Sequence, residues 1–333
     1  MNIKIILSAF LCIILASGCA RKEDENIYPS KTIYAMDTVM EIKAYGKNAE
    51  KAIADAENII KKLDADLDLG NKKSEIYKIN HNAGTSVSEE TGVLIRSALN
   101  ICYMTDGAFD ITIAPLMHLC GFYTKEYKIP QSSEISAALK KVGYKNISFT
   151  AENIFVKNGG ELDHGGIAKG YLSSKIYDIF DENQVEGGLI SLGGNIHTYG
   201  TKADGSSWKI AIQHPDKENF VGIVSANNLA VVTSGKYQRF FEKDGKRYHH
   251  IIDPATGYPS GNELESVTVV SRDATLADGL STALLVMGVE KGSNFWKNHE
   301  GFEIVFVTKD GVHITEGLED MYKSEYDFSV IRR

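Results

Sequence analysis

Four short segments carry residue types and spacings that could do chemistry. The first is Asp163-His164-Gly165-Gly166-Ile167-Ala168-Lys169-Gly170, where two glycines run into a helical pattern with a lysine in its first turn. Free N–H groups at a helix start attract anions and Lys169 adds a point charge, which together suit phosphate binding. A tight strand-to-helix turn explains the same residues equally well. The second is Ser191-Leu192-Gly193-Gly194-Asn195, a glycine pair after an apolar run. It lets a ligand approach the backbone closely, or it is a bulge or turn. The third runs from His249 to Pro259 and places His250 ahead of an Asp253-Pro254 turn. An imidazole there has the chemistry of a general base at neutral pH, although a lone histidine is more often a core or surface residue. The fourth, Ala277-Asp278-Gly279-Leu280-Ser281-Thr282-Ala283, puts Asp278 and Thr282 one helical turn apart on one face. A carboxylate and a hydroxyl so spaced suit a hard cation with oxygen ligands, such as Mg²⁺, or a solvated helix turn.

These segments need elements to hold them. Residues 32–44 read as one strand. Residues 48–67 read as a helix, with Ala49, Ile53, Ala56, Ile60 and Leu63 at helical spacing. Further helices are expected over 89–104, 132–142 and 168–180. The pattern then changes to short β-like runs at 188–199, 208–213, 221–224, 230–234, 248–253 and 266–271. Two helices, 274–287 and 291–298, precede a hairpin around Lys309-Asp310-Gly311. Helices and strands are partly segregated, so the expected class is α+β, with mixed, largely antiparallel sheets and packed helices. No internal repeat or long linker interrupts residues 32–333, which are expected to form a single domain.

The start of the chain stands apart. Lys4 precedes an apolar run over 5–16, and Ala16-Ser17-Gly18 lead into Cys19. The run is shorter than the ~20 residues of a membrane-spanning helix. Residues 1–18 therefore read as a secretory signal, Cys19 as a lipidation site and 19–31 as a polar tether. The expected location is outside the cytoplasm, anchored by lipid to the bacterial cell membrane. With 333 residues, 43% of them hydrophobic, the chain can bury a core without disulfides. Cys102 and Cys120 are expected to be buried free thiols. A net charge of −8, or −9 once Lys4 leaves with the signal, argues against a nucleic-acid partner.

Taken in order, the four segments resemble the motifs of one family, the ApbE flavin transferases. Met36-Asp37-Thr38 and the stretch from Gly107 to Leu116 match the same pattern. The resemblance runs from about residue 32 to 310. It implies Mg²⁺-dependent transfer of FMN from FAD to a Thr or Ser hydroxyl of an acceptor protein through a phosphoester, with release of AMP. FAD and the acceptor, such as a subunit of a membrane redox complex, would be the partners. By resemblance Asp278, Thr282 and the Ala168 carbonyl hold the metal, and His250 is the base. Lys169 sits by the phosphates, while Met36, Asp110, Asp163, Gly194, Asn195, Thr233, Ser234 and Gly235 line the FAD pocket. The alternatives are an FAD pyrophosphatase and a flavin-binding lipoprotein without catalysis. Two positions depart from the family. Cys120 stands where a Trp is common, and Asp68-Leu69-Gly70-Asn71 lacks an aromatic. Both losses would loosen stacking on a flavin ring and ease FAD turnover.

Overall fold

The computed structural model describes residues 28–333, except 83, 151, 152 and 217. The expected signal (1–18), the lipidation site Cys19 and most of the tether lie outside the described residues. Tyr28 already packs its ring against Tyr45 and Trp208, at 5.3 and 6.3 Å.

One nine-stranded sheet organises the molecule. Its strands are β1 (Ser30–Ala35), β2 (Thr38–Tyr45), β3 (Gly187–Leu192), β4 (Asn195–Gly200), β5 (Ala230–Gly235), β6 (Leu264–Ser271), β7 (Phe302–Thr308), β8 (Val312–Thr315) and β9 (Phe328–Ile331). They lie across the sheet in the order in which they occur along the chain. Every neighbouring pair is antiparallel except β8 with β9. Seven helices are described: α1 (Ala49–Leu67), α2 (Glu75–His81), α3 (Glu89–Met104), α4 (Ala114–Cys120), α5 (Ser132–Leu139), α6 (Ala168–Glu182) and α7 (Ala274–Lys297). The α+β class follows.

Strand alternation divides the core. Ala230 and Val232 of β5 join the main cluster with apolar residues of α1, α3, α6 and α7. Val231, between them, faces a second cluster under the small sheet of Trp208–Gln213, Phe220–Ala226 and Tyr322–Lys323.

The expected single strand over 32–44 is a hairpin. Met36 and Asp37 take φ of 49° and 58°, the turn geometry that matches strand twist. Asp37 is a common turn former but Met36 is not, so the break is weakly marked in the sequence. Residues 188–199 likewise fold as the β3–β4 hairpin about Gly193-Gly194. The expected strand at 248–253 ends at His249, in a ribbon of Phe240–Lys243 with Lys246–His249. The helices α2 and α4 are too short to impose a clear period. The two helices expected after residue 274 appear as α7, broken at Gly288, where φ is 82°.

Candidate active site

The site forms where α6, α7, β4 and β5 meet. Asp278 of α7 is only 4% exposed. The backbone N–H of Gly170 donates to its Oδ2 at 2.8 Å, and the Asn195 side-chain amide donates to Oδ1 at 2.9 Å. Gly170 permits this approach, because a Cβ there would lie 2.2 Å from the Ala274 carbonyl oxygen and 2.5 Å from the Asp278 Cβ. Both donors are neutral. Among the described residues no Lys, Arg or His forms an ion pair with Asp278. Buried carboxylates are normally paired with a cation or bind a metal.

One turn later, Thr282 Oγ1 lies 3.2 Å from Ser234 Oγ on β5. Ser234 also meets Ser281 Oγ at 2.8 Å, and Ser281 donates to the Asp278 carbonyl at 2.8 Å. Ser281 was not among the expected site residues; its i+3 spacing from Asp278 was the available signal. Gly166 comes up against Thr282, its virtual Cβ lying 3.3 Å from Oγ1. The buried Ala168 opens α6 two residues later. Carboxylate, hydroxyl and backbone oxygens make a hard donor set. No group of three His, Cys, Asp or Glu side chains able to hold a metal occurs among the described residues. A cation here would complete its shell with substrate or water oxygens, as Mg²⁺ does.

The second wall carries His250. Its Nδ1 lies 3.0 Å from the Arg239 carbonyl oxygen. A carbonyl only accepts, so Nδ1 carries the proton and Nε2 keeps its lone pair. Burial holds the imidazole well below its ordinary pKa, and the positive charges of Arg239 and Lys169 add to the effect. Phe122 contacts the imidazole edge-on at 6.3 Å, and its carbonyl accepts from Arg239 at 3.0 Å.

Other expected residues serve the walls rather than meet in them. Asp163 accepts from the Gly165 N–H at 2.6 Å and from the Tyr123 hydroxyl, fixing the turn into α6. Burial and this carboxylate keep the Tyr123 phenol protonated. Asp110 directs both oxygens to Thr112 and the Tyr144 N–H, away from Asp278, and burial raises its pKa. Met36 donates its N–H to Asp64 at 2.7 Å. Thr233 bonds Thr268 at 2.8 Å on the face opposite Ser234, because adjacent strand residues point opposite ways. Gly235 follows Ser234 and packs against the Tyr237 ring. Gly194 has open space where a Cβ would stand, beside Asn195. Cys120 and Cys102 are buried free thiols, and burial pushes Cys120 up to about 11.

A family-wide sequence profile of the ApbE family matches residues 36–306. An FAD:protein FMN transferase of Klebsiella pneumoniae is 36% identical over 295 residues, covering 86% of this chain and 91% of the relative. That of Escherichia coli is 32% identical over 331 residues, covering 92% and 93%. The fold is similar to an ApbE protein of Thermotoga maritima, with a TM-score of 0.83 and 33% identity over 89% of this chain and all of that one. The apo flavinyl transferase ApbE of Pseudomonas stutzeri gives 0.80, with 30% identity over 88% and 96%. Motif order, fold and relatives agree, and the chain belongs to the ApbE family.

Proposed function

We propose that this chain is an FAD:protein FMN transferase that works with Mg²⁺. It moves FMN from FAD to a Thr or Ser hydroxyl of an acceptor protein and releases AMP. The observation that carries the reading is the Asp278 carboxylate, 4% exposed and held by two neutral N–H donors. Asp278, Thr282 and the Ala168 carbonyl would hold the cation, which when bound neutralises charge on the pyrophosphate. Lys169 and the N-terminus of α6 face the same phosphates.

His250 is placed for proton transfer. The acceptor oxygen attacks the FMN-side phosphorus, and its proton passes to Nε2. A new P–O bond forms as the pyrophosphate P–O bond breaks, and AMP leaves with the electron pair. The cations that depress the His250 pKa are those the pyrophosphate would offset. Substrate binding would relieve that smaller, electrostatic part of the depression, while burial, its main cause, would remain.

FAD hydrolysis, with water in the acceptor's place, is the second reading. It is favoured by Leu69 and by the buried Cys120, which put no aromatic ring at either position. An exported, lipid-anchored location rests on residues 1–19 and would set the enzyme beside membrane redox proteins as acceptors. The test is to incubate the chain with FAD, Mg²⁺ and a carrier protein bearing an Asp-Gly-Ala-Thr tag. The carrier should gain the mass of FMN, with one AMP released per transfer and none in EDTA. AMP without carrier modification supports hydrolysis; no AMP at all overturns both readings.

A further inference from the structure

The ribbon that precedes His250 is charged in an unusual way. Phe240–Lys243 pairs with Lys246–His249 around a two-residue turn, Asp244-Gly245, and the register sets Lys243 directly opposite Lys246. Like charges facing across an antiparallel pair destabilise it. Neither lysine has an ion-pair partner among the described residues. Both are exposed. In a chain of net charge −8 such a pair is a local exception.

The same face carries Phe241 and Tyr248, two pairs down the ribbon, past Glu242 and Arg247. Their rings stack at 5.2 Å and 13°, and Phe241 stacks on Tyr127 at 4.9 Å and 13°. Phe122 touches both Phe241, at 6.0 Å, and His250, at 6.3 Å. The lysine pair and the Tyr127–Phe241–Tyr248 stack thus share one face, and the buried Phe122 beneath joins that stack to His250. Lys246 to His250 is four residues, roughly 13 Å of extended chain.

We propose that this face docks the acceptor protein, and that it takes an extended acidic segment whose carboxylates meet Lys243 and Lys246. The inference rests on the transfer reading and adds where the acceptor lies and what charge it bears. The lysine pair relieves its repulsion on the segment's carboxylates. The stacked rings give the segment an apolar flank beside the lysines, and the acceptor hydroxyl reaches His250 roughly four residues on.

The test uses three carrier proteins with the same Asp-Gly-Ala-Thr tag, flanked by glutamates, glutamines or lysines. At low ionic strength the unmodified enzyme should label the Glu-flanked tag about tenfold faster than the Gln-flanked one, and high salt should erase the difference. The K243E/K246E enzyme should lose that preference and favour the Lys-flanked tag, a gain that misfolding cannot produce. Its FAD affinity, read from flavin fluorescence quenching, should stay unchanged. Equal labelling of all tags by the unmodified enzyme, or a Glu preference that survives in K243E/K246E, overturns the docking surface and leaves transfer standing. No labelling of any tag overturns the transfer reading itself.

Discussion

The Asp278 carboxylate is clamped between two helices and a strand, whereas the His250 imidazole sits at the root of a ribbon whose tip is in solvent. Asp278 is fixed by donors 108 and 83 residues away in sequence. His250 is held mainly by the carbonyl of Arg239, 11 residues back, across the ribbon. The first wall is long-range and tightly packed, which suits the proposed hold on a metal and pyrophosphate. The second is local and its ribbon reaches into solvent at the tip, so it can give way to a macromolecule. A transferase needs both: one substrate is small and always the same, and the other is a protein surface.

The contrast can be broken at several points. Asp278→Ala should abolish Mg²⁺-dependent transfer. It would also leave the Asn195 amide and Gly170 N–H unsatisfied, at about 1–3 kcal/mol each, so thermal unfolding should move together with the loss of activity. Wild-type transfer by this variant removes the metal assignment. His250→Ala should slow transfer by about 10²–10⁴-fold and leave the melting temperature nearly unchanged, because the ribbon does not carry the core. A large drop in melting temperature would show that the two walls are not so different.

Gly170→Ala sharpens the comparison from the packing side. The added methyl meets the Ala274 carbonyl, so overpacking should cost about 1–3 kcal/mol in urea denaturation, and FAD binding should weaken with it. A further effect is one of pH. Burial lowers His197 and His249 to about 4 and His250 to about 3. In the unfolded chain all three protonate near pH 6.5, so the unfolded state binds more protons as pH falls below that value. Stability should be level above pH 7. It should then fall by up to about 1.4 kcal/mol per pH unit per histidine between about 6.5 and 4. His197→Gln should remove one proton's share of that slope, and an unchanged slope would exclude His197 as a source.

Much of the first wall was legible in the sequence because its key pair is local. Asp278 and Thr282 declare themselves by helical spacing, and the glycines before Lys169 declare the turn into α6. What could not be read is how strands present their side chains. Thr233 and Ser234 were expected together, but a strand sends neighbours to opposite faces, and only Ser234 reaches Thr282. Asn195 was expected to line the FAD pocket; that its amide also goes to Asp278 could not be read, because the pairing depends on how β4 lies against α7. Asp110 looked like a pocket residue and instead closes its own loop, because a buried carboxylate takes the nearest N–H and hydroxyl donors. The β1–β2 hairpin was missed for a different reason. Its turn uses Met36 and Asp37 at positive φ, where glycine or asparagine is usual.

The order of strands in the large sheet has a consequence for how the enzyme comes into being. β2 pairs with β3 only after the chain has run from Tyr45 to Gly187, and Gly170 waits a further 108 residues for Asp278. During synthesis the anion-binding start of α6 is therefore complete long before the carboxylate it will orient exists. A chain cut short ahead of α7 has the glycine turn and the lysine but no place for the cation. On the proposed reading, transfer is thus a property only of molecules that have been finished.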